Sequence, residues 1–586
     1  MKDAKKENRK NKTPLKFFLL LFIVNYISHF RYFKKFGFYE DDFFNIVFNF
    51  NQNLESIIQF VISRSTSWIQ GHPLLLLTGV LTYIGDKIGG LSGLYVLAFI
   101  IIFINSYLVY RILKKIFPGS EIFAVTGSLC FCLFPSDTTK IMLTHTYFLQ
   151  MSLMFFFTAT LLYLKGWIKT SYIVITLCIL SYESPYMVFF GIPLLMGEWN
   201  KKFRNEMIRH VSVLSVIIVI IFFIRKFIGD ARVGEVVKDT TGTFYKIIAS
   251  IFIGPAMNFF IFLRVPFITV YDWISLYTPY WSVNIIVISL FCVSVFIWFF
   301  YKLKPDTFTE NMNPISEEFS ELEKDKVENE KEFTVVYFKR IKQIFLTSII
   351  LIMLGYALAF THYPPTEMKG RLTSVHLAAT FGCSIAFACL CASIIFISNK
   401  YNYRKIAITF ISVYLTILVA FQIRIQVDFA KSWEYQKYFW TKVAELCPDM
   451  GENTDIFFLN GEDRNFLPWT NYVIYYDHFV LEQIFNFPKE WENKPTLKFF
   501  NPGWRDQIQL ENDTLKRYVP KGGLLVLKPI PDKNFIILKP DVDKEIVRLD
   551  SSFVTIKGKK INLKPKDNTD NLSNLEKGVL YDLMIK

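Results

Sequence analysis

The chain has 586 residues, 52% of them hydrophobic and 17% aromatic, and carries a formal net charge of +14. With a mean hydropathy of +0.30 it is too apolar for an ordinary soluble globule and too long for one compact domain. Lys and Arg cluster beside the apolar runs, where positive charge fixes membrane orientation and meets anionic head groups, and no basic stripe is interleaved with exposed aromatics in a polar domain, so the charge does not point to nucleic acid.

In chain order, the basic start MKDAKKENRKNK leads into an apolar run from Leu15 to about Phe33. That run is longer than a signal-peptide core and no small-residue cleavage site follows, so it reads as a retained first helix with its N-terminus in the cytoplasm. Next comes FGFYEDDFFN, residues 36–45, in which Glu40, Asp41 and Asp42 stand among Phe36, Phe38, Tyr39, Phe43 and Phe44. Aromatic flanks hold these acids at the membrane interface, where charge needs a partner or a purpose. Further spans are expected at about 91–113, 121–135, 145–164, 171–197, 208–228, 277–301, 342–361, 372–398 and 404–424.

Basic residues set the orientation. Arg111, Lys114 and Lys115 close the second span, Lys165 and Lys169 follow the fourth, and Lys201, Lys202, Arg204 and Arg209 open the 208–228 run. All three clusters belong inside. A single through-going helix over 171–197 conflicts with that, because both its ends are then cytoplasmic. Two short helices that enter and return remove the conflict. Pro185 in SYESPY marks the turn and Glu183 sits at its outer side.

Segments 34–90, 229–246, 362–371 and everything after about 425 then lie outside, and the acidic linker in 302–341 lies inside. The stretch 247–275, with Pro255, Arg264 and Pro266, reads either as an interfacial segment or as a second short hairpin, which makes the total eleven or thirteen spans. Residues 428–586 are different in kind. Charges occur throughout, and strand-like runs such as DIFFLN, YVIYY, GLLVLKPI and NFIILKP are bounded by turn residues, which predicts a small soluble domain of mixed α and β structure outside the membrane. The transmembrane part is 1–427. Of eight cysteines only Cys447 lies outside the apolar runs, and none forms a CxxC pair, so they read as small buried residues.

After the acidic triplet come a polar amphipathic stretch, the segment WIQGHPLLLLTGVLTYIGDKIGG, and a second span with a basic cytoplasmic end. This order resembles the GT-C fold glycosyltransferases, in particular the protein O-mannosyltransferase and aminoarabinose transferase branch. Members of that branch open the first external loop with an acidic pair, follow it with a His-Pro-Pro-Leu-like segment, and use a lipid-phosphate-linked sugar as donor. Asp41 and Asp42 match the pair, and Gly71, His72, Pro73 and Leu74 match the later segment, with one proline in place of two. More weakly, the likeness runs to about residue 200, and Asp137 in LFPSDTTK stands where the family often has a second acidic residue. Later helices and the C-terminal part match in layout only.

The resemblance implies an α-helical polytopic membrane protein with a GT-C-like fold, acting on a polyprenyl-phosphate-linked sugar with a glycan, lipid or protein acceptor. An acceptor hydroxyl or amine that attacks the anomeric carbon must lose a proton, which assigns Asp41 or Asp42 as general base. The departing lipid phosphate gains charge, which Lys140, Arg264, Lys369 or Arg371 can meet. Glu40, Asp137, Glu183 and His72 are candidates for further substrate contacts. Oxygen ligands of this kind suit a divalent metal such as Mg or Mn, which is a further expectation at Asp41 and Asp137.

Each candidate has a plainer reading. Asp42 and Asp137 also fit helix N-caps, His72 a polar turn, Glu183 a hydrogen-bonded structural acid, and Arg371 an interfacial anchor. The competing functional class is a transporter or flippase for a lipid-linked sugar, with the broken helix at Ser181–Tyr186 and the membrane-level acids binding cargo. A bacterial inner membrane suits the compact loops and the basic start.

Overall fold

A computed structural model describes residues 12–66, 73–196, 199–228, 231–276, 279–303, 330–359, 363–459 and 477–500, with 508–511, 514–518, 524–526, 534–540, 545–548, 553–556, 559–562, 572 and 575–585. His72, Gly71, most of the basic start, most of the acidic linker and the run YVIYY lie outside the described residues. Helices dominate. Among the described residues, seven are long and apolar enough to cross a membrane: Leu76–Ile116, Leu143–Leu164, Lys201–Phe227, Thr240–Asp272, Val283–Lys302, Arg371–Lys400 and Arg404–Leu446. The chain is a helical membrane protein.

It divides into two compact units, one of Met1–Lys34 with Gln52–Val427 and one of Lys35–Asn51 with Asp428–Lys586. The Arg404–Leu446 helix supplies residues to both.

In the first unit, the Leu76–Ile116 helix breaks at Gly89–Gly90, where Gly90 takes φ 57 and ψ −138, a conformation open only to glycine. The second apolar span expected at about 91 starts just past this break. The hairpin expected around Pro185 is also present. Helix Ile168–Ser181 ends at Tyr182, which is extended (φ −146, ψ 129), and Glu183–Phe189 follows. Both arms return to one residue. His210 Nδ1 lies 2.9 Å from the Tyr172 hydroxyl, and His210 Nε2 donates to the Phe189 carbonyl at 3.0 Å.

By contrast, 247–275 makes neither a hairpin nor a separate interfacial segment. It lies within one helix, Thr240–Leu276, with Pro255 and Pro266 inside it. Proline has no N–H for the carbonyl four residues back, and in a membrane that carbonyl needs another donor. At Pro266 the freed carbonyl is that of Phe262, and the Tyr414 hydroxyl donates to it at 2.9 Å. Arginines do the same for helix ends. Arg340 Nη2 donates to the carbonyls of Ile116 (3.3 Å) and Leu195 (2.6 Å), and Arg404 Nη2 to that of Leu303 (2.6 Å).

The second unit contains a four-stranded sheet in the order Thr496–Phe500, Thr454–Leu459, Asn534–Pro540, Ile546–Arg548. The first three strands are parallel and the last is antiparallel, with Ile456 opposite both Leu497 and Ile536. Alternate residues Ile456 and Phe458 are buried with Leu497, Ile536 and Leu538, as expected for the inner face of a sheet. Arg548 grips the Asp449 carboxylate with both terminal nitrogens, at 2.5 and 2.9 Å, and ties the edge strand to the turn after the long helix. All eight cysteines are free thiols, buried except for half-buried Cys383.

Candidate functional site

The acidic stretch is part of the second unit and is built on aromatic packing. Phe36, Phe38, Tyr39 and Phe43 are all buried, and against them lies the 428–446 part of the long helix. Phe38 meets Trp433 edge-on at 6.2 Å between ring centroids, and Tyr39 meets Phe429 edge-on at 4.8 Å. Gly37 has no side chain for a reason: a Cβ there would fall inside the Trp433 indole. The Tyr39 hydroxyl accepts from the Gly37 N–H at 3.1 Å and donates to the Phe429 carbonyl at 2.8 Å. Burial first, and the nearby carboxylates of Asp42 and Glu434 after it, hold this phenol well above its usual range, against the opposing Gly37 hydrogen bond.

That packing gives the three acids different environments. Glu40 has a left-handed backbone, φ 45, which is uncommon for a residue with a side chain, and is 8% exposed. Asp42 is fully buried, and its Oδ2 accepts the backbone N–H of Tyr39 at 3.1 Å. The bond reaches back three residues and closes a turn, so Asp42 does not cap the short Asp42–Asn45 helix; Asp41 occupies the cap position and makes no side-chain cap bond. Asp41 is half-buried, more open to an incoming molecule than Asp42.

In the first unit, LFPSDTTK forms a buried, hydroxyl-rich loop between Glu121–Cys132 and Leu143–His145. Asp137 Oδ1 accepts from the N–H of Thr139 at 3.0 Å and from its hydroxyl at 2.7 Å, an Asx turn, and the next helix starts only at Leu143 with Met142 at the cap position, so Asp137 is not its N-cap. Asp137 Oδ2 lies 3.4 Å from Gln150 Nε2, and Gln150 in turn receives Asn105 Nδ2 on its carbonyl at 2.7 Å. Lys140 is 5% exposed and points inward, with Nζ donating to the Cys132 carbonyl at 2.7 Å. His29 Nε2 donates to that same carbonyl at 2.8 Å. Burial lowers the Lys140 ammonium below its ordinary range, opposed by the nearby Cys132 and Asp137.

The loop is latched to residues 370–373. Thr138 N–H donates to Thr373 Oγ1 at 3.1 Å, the two hydroxyls are 2.9 Å apart, and Thr138 Oγ1 donates to the Gly370 carbonyl at 3.3 Å. Asp137 is thereby brought near the backbone of exposed Lys369 and half-buried Arg371. Two other candidates stand apart. Arg264 is exposed on the Thr240–Leu276 helix with its guanidinium over the Phe260 ring at 5.1 Å. Glu183, at the hairpin turn, faces Arg225 at 3.9 Å, with side chains only 16% and 10% exposed. Among the described residues, no three His, Cys, Asp and Glu side chains gather as a metal ligand set.

Sequence reasoning named Tyr39 only as an aromatic flank and missed Trp433, Thr138, Thr373, Asn258, Tyr356 and His376, which hold these segments in place. Most of their partners are distant in the chain, Thr138 pairing with Thr373, Asn258 with Tyr356 and Trp433 with Phe38, and nothing local in a sequence marks such pairings. Comparison with protein-family models, with curated proteins and with solved structures finds no match to this chain.

Proposed function

We propose that the chain is a membrane glycosyltransferase of GT-C type that moves a sugar from a polyprenyl-phosphate-linked donor to a glycan, lipid or protein acceptor at the outer face of a bacterial inner membrane. The observation that carries this reading is the division of labour in the acidic triplet. Asp42 is buried and engaged with the Tyr39 amide, while Asp41, beside it, is half-buried on the same tight turn. The left-handed Glu40 adds backbone strain of the kind found at working sites.

The chemistry assigns one role to each group. The acceptor oxygen or nitrogen forms a bond to the anomeric carbon, and its proton passes to the Asp41 carboxylate. The bond from that carbon to the phosphate oxygen breaks, and the lipid phosphate leaves with the electron pair. Within the first unit, Lys369 and Arg371 are the cations proposed to bind a lipid phosphate, because Lys140 is turned inward and Arg264 lies over Phe260. A Mg or Mn ion bound by Asp41 or Asp137 would add positive charge, and no step above depends on one.

The test is transfer of radiolabelled sugar from polyprenyl-phosphate donors by membranes carrying wild type, Asp41→Asn or Asp42→Asn. Transfer by wild type and its loss in Asp41→Asn, with the protein still folded and inserted, supports the reading. Equal transfer by all three removes the triplet as the base. A second reading, a transporter or flippase of a lipid-linked sugar, draws on the helix break at Tyr182 and the membrane-level Glu183–Arg225 pair. Movement of lipid-linked sugar across a vesicle bilayer without any transfer selects it.

A further inference from the structure

Four buried side chains from four separate segments make one directed chain of hydrogen bonds in the first unit. Ser136 Oγ donates to Asn258 Oδ1 at 2.8 Å, and Asn258 Nδ2 donates to the Tyr356 hydroxyl at 3.0 Å. The Tyr356 hydroxyl lies 2.6 Å from His376 Nδ1, and His376 Nε2 lies 2.8 Å from the Glu367 carbonyl. A carbonyl only accepts, so Nε2 carries the hydrogen. In the neutral ring Nδ1 is then the acceptor, and Tyr356 donates to it. Every donor therefore points the same way, from the 133–140 loop to the 363–371 loop.

The residues are 0 or 1% exposed, where an unmet polar group is costly, so the four side chains form one connected buried unit whose final bond, His376 to Glu367, is the one that reaches the loop. Its last link is a main-chain atom of the loop that carries Lys369 and Arg371. The Thr138–Thr373–Gly370 bonds fasten the other end of that loop.

We infer that His376 is a positioning residue: held by Tyr356 in the tautomer that donates from Nε2, it fixes the 363–371 loop where Lys369 and Arg371 meet the phosphate of the lipid donor. This rests on the donor reading given under Proposed function. Tyr356 keeps the ring from flipping or changing tautomer, and the Ser136–Asn258 bond anchors Tyr356 to the neighbouring loop. Neither His376 nor Tyr356 touches the phosphate.

Two conservative substitutions separate the links. His376→Gln keeps a donor at the place of Nε2 and loses the acceptor facing Tyr356; His376→Asn keeps that acceptor and loses the bond to Glu367. A nitroxide at Met368→Cys, a 38% exposed position beside Lys369, reports loop motion in the full-length protein in nanodiscs. The native thiols are buried or half-buried and label slowly. Binding of undecaprenyl phosphate is measured on the same samples, and thermal unfolding checks that the variants are folded.

The Asn variant is expected to free the loop and weaken undecaprenyl phosphate binding by about tenfold, the scale of one hydrogen bond, while the Gln variant stays near wild type in both. Equal loop motion in all three proteins overturns the inference, as does a freed loop with unchanged binding. If wild type itself does not bind undecaprenyl phosphate, the donor reading fails, and the inference falls with it.

Discussion

The two acid-bearing turns, 36–45 and 133–140, solve the same problem by different means. Both remove carboxylates from water, and both supply hydrogen bonds to offset that cost. In 36–45 the Asp42 carboxylate binds the backbone of its own turn, and the turn is held in shape by Phe38, Tyr39 and Trp433. In 133–140 the Asp137 carboxylate takes two bonds from Thr139 and one contact from Gln150, and hydroxyls and amides fasten the loop to distant segments. Aromatic packing sets the backbone of the first turn and leaves Asp41 half-buried, whereas Asp137 is fully buried with both carboxylate oxygens in a polar network. That difference in exposure is why the proposed base role goes to the first turn and a structural role to the second.

The largest effect that tests this contrast is on transfer. Asp41→Asn should reduce sugar transfer by about 10²–10⁴-fold with little change in melting temperature. Asp137→Asn should do the reverse. It places an amide N–H₂ against Gln150 Nε2 and should lower stability by about 1 kcal/mol while leaving most transfer intact. If Asp137→Asn abolishes transfer in a fully stable protein, the two turns have been assigned the wrong way round.

Next in size is the packing itself. Gly37→Ala pushes a methyl group into the Trp433 indole and should destabilise the second unit by about 1–3 kcal/mol, with transfer lost in step. Asp42→Ala strands the Tyr39 amide and should cost about 1.5–3 kcal/mol, and Asp42→Asn, which still offers an oxygen, clearly less. Thermal unfolding of the purified variants gives both numbers. A Gly37→Ala protein as stable as wild type would show that the indole is not what shapes the acidic turn.

The contrast also marks what a sequence makes legible. Apolar runs revealed a helical membrane protein, and Pro185, in a run with basic residues at both ends, pointed to the helix break seen at Tyr182, because those signals are local. Pro266 misled in the other direction. Read alone it suggests a helix break, yet Tyr414 supplies the donor that its ring removes, from 152 residues away. The acidic triplet announced itself through charge among aromatics, but its grouping with 428–586 depends on Trp433 and Phe429, which are unremarkable in their own stretch of helix. The 133–140 loop gave only Asp137 and Lys140 as signals. Its partners Thr373, Asn258 and Tyr356 are common residue types in apolar runs, and no spacing rule links them.

The smallest effect is a pH dependence confined to the aromatic turn. Tyr39 holds its proton more tightly in the folded protein than an unfolded phenol does, whose ordinary value is about 10. A raised folded value means stability that is fully present below pH 10 and lost as pH rises beyond it, because only the unfolded chain releases the proton there. Tyr39→Phe removes the titrating group together with the bonds to Gly37 and Phe429. The wild-type advantage over Tyr39→Phe should therefore be constant from pH 7 to 9 and smaller by about 0.8 kcal/mol at pH 10.5, whatever the other tyrosines do, since they cancel in the difference. An advantage that stays constant to pH 10.5 would mean that the phenol meets water in the folded state, and the turn around Asp41 would then be looser than its packing indicates.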